Sequence, residues 1–298
     1  MKQNLRKKRN IHHMMKQTAL FAIMGFCLLF TSCRSNYEVD NRLLTVSIEP
    51  LRYVTEAIAG DCFEVVTLTP EGVSPETYMP TPQQIININK GAAYIYLGSL
   101  GFEQQHMNHI IENCPHLYVV NVSENISLLH GHHCENASTD SADPHIWTSP
   151  KNMRAIANNI CKALCLMDTA NARTYTENME KFTARIDSVN HAIHSELDTL
   201  QNRTFLINHP ALAYFADQYG LHQLSIEKDG KEASAERVAQ LIDASKKENV
   251  KTVFILKQNS GRAATRIAEE IGAETIVINP LLYQWDEEIL RIAKALKR

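Results

Sequence analysis

Apolar, β-rich runs alternate with helical patterns twice along this chain, and one long helical stretch separates the two series. In the first series Leu43–Ile48, Phe63–Thr69, Ala92–Leu97 and Leu117–Val122 read as strands, with helical patterns over Leu51–Ala59, Pro82–Asn89 and Phe102–Asn113. In the second, strands are expected at Thr204–Asn208, Leu221–Glu227, Thr252–Lys257 and Glu274–Asn279, with helices over Ala211–Tyr219, Ala235–Glu248, Arg262–Ile271 and Glu287–Leu296. Such alternation argues for βαβ units, in which parallel strands form a sheet and the crossover helices cover its faces. The expected fold is therefore α/β with two lobes, each a mainly parallel sheet flanked by helices.

The stretch Lys151 to Leu200 joins the series and is expected to break near Asp168-Thr169-Ala170-Asn171, where Asp or Thr can cap a second helix. Within Ala172–Leu197, Tyr175, Met179, Phe182, Ile186, Val189 and Ile193 recur at spacings of three and four, an apolar stripe along one face. At 1.5 Å rise per residue about 26 residues reach roughly 39 Å, enough to run along both lobes as a stiff connection. The expected organisation is a leader over residues 1–32, an N-terminal lobe over 40–168, the long interlobe helix within 169–200 and a C-terminal lobe over 201–298.

The leader carries Lys2, Arg6, Lys7, Lys8, Arg9 and Lys16, and no acidic residue precedes Glu38. Its apolar run, Ala19 to Phe30, is too short to span a bilayer comfortably and fits the apolar segment of a signal peptide. Met14 or Met15 would serve equally as a start. The run closes with Leu28-Leu29-Phe30-Thr31-Ser32-Cys33, which resembles a bacterial lipobox. That resemblance implies cleavage before Cys33 and a lipid on its thiol; an ordinary secretory signal with an incidental cysteine is the alternative. Six of the 30 basic residues and none of the 33 acidic ones precede Cys33, so the remainder carries 24 against 33, a net of −9. This argues against a nucleic-acid partner. The lipid, rather than a basic patch, would hold the protein at a membrane of the cell envelope. Beyond Cys33 stand Cys62, Cys114, Cys134, Cys161 and Cys165, an odd number that cannot all pair internally.

In open parallel sheets, ligands bind outside the carboxyl ends of the strands. His209 follows one expected strand and precedes Pro210, a favoured first helical residue; Asn279 ends another; Glu76 lies in the loop after Phe63–Thr69; and His145 follows the turn Asp143-Pro144 beyond the last N-terminal strand. Imidazole is the commonest metal ligand near neutral pH, so two histidines facing one cleft with a glutamate and an asparagine point to a transition-metal site. Each also has a plain reading: a satisfied histidine, a solvated glutamate or an asparagine in a turn. The loop His130-Gly131-His132-His133-Cys134 would gather metal for the site, or is simply a polar solvated loop.

The motifs carry a family resemblance. Asp143-Pro144-His145-Ile146-Trp147 with Ser149-Pro150, and His209-Pro210-Ala211-Leu212-Ala213-Tyr214-Phe215, resemble the second and third ligand motifs of the zinc- and manganese-binding lipoproteins that serve ABC importers. Tyr78 with Pro80-Thr81-Pro82 looks like the tail of the first motif, and Glu232-Ala233-Ser234-Ala235 is similar to a segment before a C-lobe helix. The resemblance covers nearly all of Leu43–Arg298. It implies an exported, monomeric binding protein that captures zinc (alternatively Mn2+ or Fe2+) between its lobes and hands it to a permease with its ATPase. The implied ligands are Glu76, His145, His209 and Asn279, with Asp143 as an outer acceptor orienting an imidazole. The chain departs from the family at two of them, because the family usually has histidine at Glu76 and a carboxylate at Asn279. Rival readings are a zinc hydrolase, disfavoured because no HExxH motif occurs, and an adhesin or metal-storing lipoprotein.

Overall fold

The computed structural model describes residues 40–130, 142–227 and 233–297. Cys33 and the segment holding His132, His133 and Cys134 lie outside the described residues. The first sheet contains β1 (Asp40–Val46), β2 (Glu64–Thr67), β3 (Gly91–Tyr96) and β4 (Tyr118–Asn121) in the order β2-β1-β3-β4. The second contains β5 (Thr204–Ile207), β6 (His222–Ser225), β7 (Thr252–Leu256) and β8 (Glu274–Ile278) in the equivalent order β6-β5-β7-β8. Every strand pairing is parallel. In each sheet the order reverses direction beside the first strand, which opens a crevice at the carboxyl ends.

The helices fall where periodicity places them. They are α1 (Glu49–Ala59), α2 (Pro82–Lys90), α3 (Gly101–Asn113), α4 (Pro150–Met167), α5 (Ala172–Leu197), α6 (Ala213–Tyr219), α7 (Ala235–Lys247), α8 (Arg262–Ile271) and α9 (Trp285–Leu296). All six stripe residues of α5 are buried, and the helix packs against α1, α4 and α9. Consequently one apolar core runs from the first sheet through α4 and α5 to Phe205, Phe254 and α9 of the second half. A smaller core lies on the other side of the second sheet, under α7 and α8.

The break before α5 differs in detail from expectation. Asp168 does not cap the helix; a 3-10 turn at Thr169–Asn171 leads into it. The Asp168 carboxylate instead accepts from Asn171 Nδ2 and Tyr175 Oη, each at 2.7 Å, and these bonds hold it below the usual carboxylate range. Among the described cysteines, Cys62, Cys114, Cys161 and Cys165 are free.

Polar bonds reinforce the shared core. The Trp147 indole donates to the Pro280 carbonyl at 2.9 Å, and the Trp285 indole donates to the Trp147 carbonyl at 2.7 Å. Arg185 of α5 pairs with Asp286 of α9 at 2.5 Å, and the Arg52 guanidinium of α1 sits 4.5 Å from the centroid of Tyr283. The two halves are thus tied by apolar packing, indole hydrogen bonds and an ion pair, which together fix the cleft between them.

Candidate metal centre

The loop after β2 carries Glu76. Gln84 of α2 closes its base: Gln84 Nε2 donates to the Leu68 carbonyl at 2.9 Å, while its Oε1 accepts from Tyr78 Oη at 2.6 Å and from the Thr81 amide at 2.9 Å. Thr81 caps α2 in return. Tyr78 and Thr81 thus shape the loop that carries Glu76. At its tip the loop rests on α3, and a Cβ at Gly101 would run into the Glu76 backbone carbonyl. The start of α3 is itself fixed by buried Glu103, which accepts from the Leu97 amide at 3.0 Å, the Leu100 amide at 3.2 Å and the Ser47 hydroxyl. Burial pushes the Glu103 carboxyl up to about 7 despite those donors. Gly101→Ala should therefore displace the Glu76 loop and weaken metal binding about tenfold, or ~1.4 kcal/mol by calorimetry. An unchanged affinity would show that the loop position does not matter.

His145 follows the Asp143-Pro144 turn. Asp143 Oδ1 accepts from the His145 amide at 2.8 Å and from its Nδ1 at 3.0 Å. The first bond sets the backbone and the second sets the ring, leaving Nε2 with its lone pair. Desolvation of the buried ring lowers its pKa, but Asp143 and Glu76 more than offset this, and the net shift is upward. Glu76 Oε1 lies 3.9 Å from His145 Nε2.

His209 follows β5, with its Nδ1 2.9 Å from Glu227 Oε2. Helix α6 begins at Ala213, not near Ala211 as expected. The Leu212 amide donates to Gln223 Oε1 at 2.9 Å and Ala211 N to the His209 carbonyl at 2.7 Å, so the chain makes a turn before it becomes helical. The rings of His145 and His209 are 5.2 Å apart between centroids.

Glu76, His145 and His209 each offer one ligand atom, and these atoms lie within 4.8 Å of one another. A tetrahedral ion with bonds of about 2.0–2.2 Å draws its donors to roughly 3.4 Å apart, so closing on a metal takes movements of about an ångström or so. The same cavity is lined by Trp147, Gln258 and Pro280. Glu76 Oε1 is buried there without a hydrogen-bond partner, as fits an acceptor meant for a cation.

The structure places Asn279 elsewhere. It is buried at the end of β8, its Oδ1 accepts from Gln258 Nε2 at 2.6 Å, and it lines a neighbouring crevice with Glu49 and Thr69. His130 is exposed and forms a bridge with Ala142, while the Asp143 amide donates to the Leu129 carbonyl at 2.8 Å. Tyr214 of α6 ties this stem to the other half: its hydroxyl accepts from the Leu129 amide at 3.0 Å and donates to the Asp143 carbonyl at 2.8 Å. The sequence reading missed Glu227 and Gln258. Both stand at carboxyl ends of expected strands, the rule that singled out Asn279, and applying it to every polar residue would have found them.

Comparisons with known proteins place the chain in a family. A family model described as zinc-uptake complex component A, periplasmic, matches residues 44–288. The high-affinity zinc uptake system protein ZnuA of Bacillus subtilis is 27% identical over 89% of this chain and 89% of its own. The manganese-binding lipoprotein MntA of Halalkalibacterium halodurans is 24% identical over 85% of each. A crystal structure of ZnuA superimposes with a TM-score of 0.81 at 34% identity, covering 87% of this chain and 98% of the other.

Proposed function

The chain belongs to the family of the periplasmic component A of zinc-uptake complexes, and on that premise we propose that it captures zinc between its lobes and delivers it to an ABC-type permease. As a member of that family it is a metal-binding protein rather than an enzyme. The observation that carries the reading is the meeting of Glu76 and His145 from the first half with His209 from the second, around one buried cavity. Two imidazoles and one carboxylate suit zinc, with a further donor in the fourth position. Manganese is the second reading, favoured by the glutamate where the family has histidine, because oxygen donors shift preference toward harder ions.

Each imidazole is backed by a carboxylate, Asp143 for His145 and Glu227 for His209. These acceptors fix the orientation and tautomer of each ring. The N-terminal lobe over 40–168 and the C-terminal lobe over 201–298 would each contribute ligands, with the helix in 169–200 limiting their relative motion. We further propose lipid attachment at Cys33, which would hold a monomeric protein beside its permease, and a gathering role for His130, His132, His133 and Cys134. Deleting the gene should abolish high-affinity uptake of radioactive zinc by intact cells, and the full-length chain should restore it. Normal zinc uptake in the deletion strain, with another metal lost instead, would shift the assignment to that metal.

A further inference from the structure

We propose that Gln258 supplies a fourth, neutral oxygen ligand to the metal, and that Asn279 acts through it by holding its amide in the ligating orientation. The proposal rests on the reading of Glu76, His145 and His209 as ligands and adds a donor that the sequence pattern assigned to Asn279.

Gln258 lines both the cavity of the three ligands and the neighbouring crevice, whereas Asn279 lines only the latter. Two residues of the ligand cavity carry a buried side-chain acceptor with no hydrogen-bond partner, Glu76 Oε1 and Gln258 Oε1. An orphaned buried acceptor costs about 1–3 kcal/mol, so two in one wall call for a shared cause, and a cation supplies it.

The amide's other end explains its orientation. Gln258 Nε2 donates to Asn279 Oδ1 at 2.6 Å, which uses the nitrogen and leaves the oxygen. With Asn279 Oδ1 facing it, the reversed Gln258 amide would set two carbonyl oxygens against each other at that separation. The Asn279 backbone is firmly placed: its main-chain N–H donates to Glu288 Oε1 at 2.6 Å, and that carboxylate is paired with Arg291, also at 2.6 Å. A neutral donor also suits the charge around the site. Glu76 lies beside His145 in the cavity, and Asp143 and Glu227 stand behind the imidazoles, so a dication bound there would already meet three carboxylates. The resulting donor set is two nitrogens, one carboxylate oxygen and one amide oxygen, which accommodates manganese better than a nitrogen-rich set would.

Calorimetric titration of the chelator-stripped protein with zinc and manganese, and the visible spectrum of its cobalt form, test this. Gln258→Leu should weaken zinc tenfold or more and manganese further, keep one site per chain and alter the cobalt spectrum. Asn279→Ala should reproduce the spectral change, and Asn279→Asp, which keeps an acceptor for Nε2, should restore the parent spectrum. Should Gln258→Leu misfold by circular dichroism, Gln258→Glu serves instead, with tighter binding expected from an added charge at the ion. Zinc and manganese affinities within twofold of the parent in the variant, with an unchanged cobalt spectrum, would overturn the proposal and leave the three-ligand site standing. A parent protein that binds no metal would overturn both.

Discussion

Replacing His145 and His209 together with alanine should reduce zinc affinity by more than about 10³-fold, over ~4 kcal/mol by calorimetry. The two imidazoles are the only nitrogen donors in the cluster, and each comes from a different half of the molecule. Removing both leaves the Glu76 carboxylate as the one charged donor, beside the neutral Gln258 amide, and such a pair of oxygen donors does not hold zinc tightly against water. The loss should not come from unfolding. His209 is partly exposed, and both rings stand at the cavity rather than inside the apolar core. A graded series should bracket this variant. Glu227→Gln keeps His209 but weakens the acceptor behind it, and a loss of about 10–100-fold is expected for such a partner. Zinc affinity unchanged in the double variant would remove the metal centre from this cleft.

Zinc should also raise the thermal stability of the protein, and the rise should depend on pH. A ligand that binds only the folded state, at about 1,000 times its Kd, stabilises by roughly 4 kcal/mol, on the order of 10 °C for a chain of this size. The proton competes with the metal for His145. Asp143 and Glu76 raise the affinity of this ring for a proton above that of an ordinary imidazole with pKa 6.5. In the metal-free protein, protonated His145 stabilises the fold at low pH, and this contribution fades as pH rises through the raised folded value. The metal-bound form behaves oppositely, since it needs the ring deprotonated. The zinc-induced rise in Tm should therefore be largest near pH 8 and shrink on acidification, with the decline setting in above pH 6.5. Scanning calorimetry at pH 8, 7 and 5.5 decides the point, and a rise of equal size at all three would exclude His145 as a ligand.

Much of this was legible in the chain because the signals are local. Strand and helix periods located every element of both sheets, and the Ala172–Leu197 stripe located α5 with its bounds. The rule that parallel sheets bind at carboxyl ends, with the resemblance of the motifs, led to Glu76, His145, His209 and Asp143. The parts that were not legible depend on distant partners. Asn279 bonds to Gln258, 21 positions earlier, and His209 to Glu227, 18 positions later. Gly101 stands one residue before the expected helix Phe102–Asn113, and only its approach to the Glu76 carbonyl gives it a role at the site. The late start of α6 depends on Gln223 capturing the Leu212 amide from the neighbouring strand.

The stem at His130 and Ala142 has a consequence for how such proteins can change. Its two sides are fastened to each other and to the Tyr214 hydroxyl, immediately before the turn that presents His145. A segment closed in this way can gain or lose residues at its far end while the ring nitrogen stays where it is. Lengthening such a segment costs little, about 0.6 kcal/mol for each doubling of its length. The proposed gathering of ions and the holding of one ion would therefore be free to diverge separately, the first by insertion and composition, the second by exchange of single side chains in the cleft.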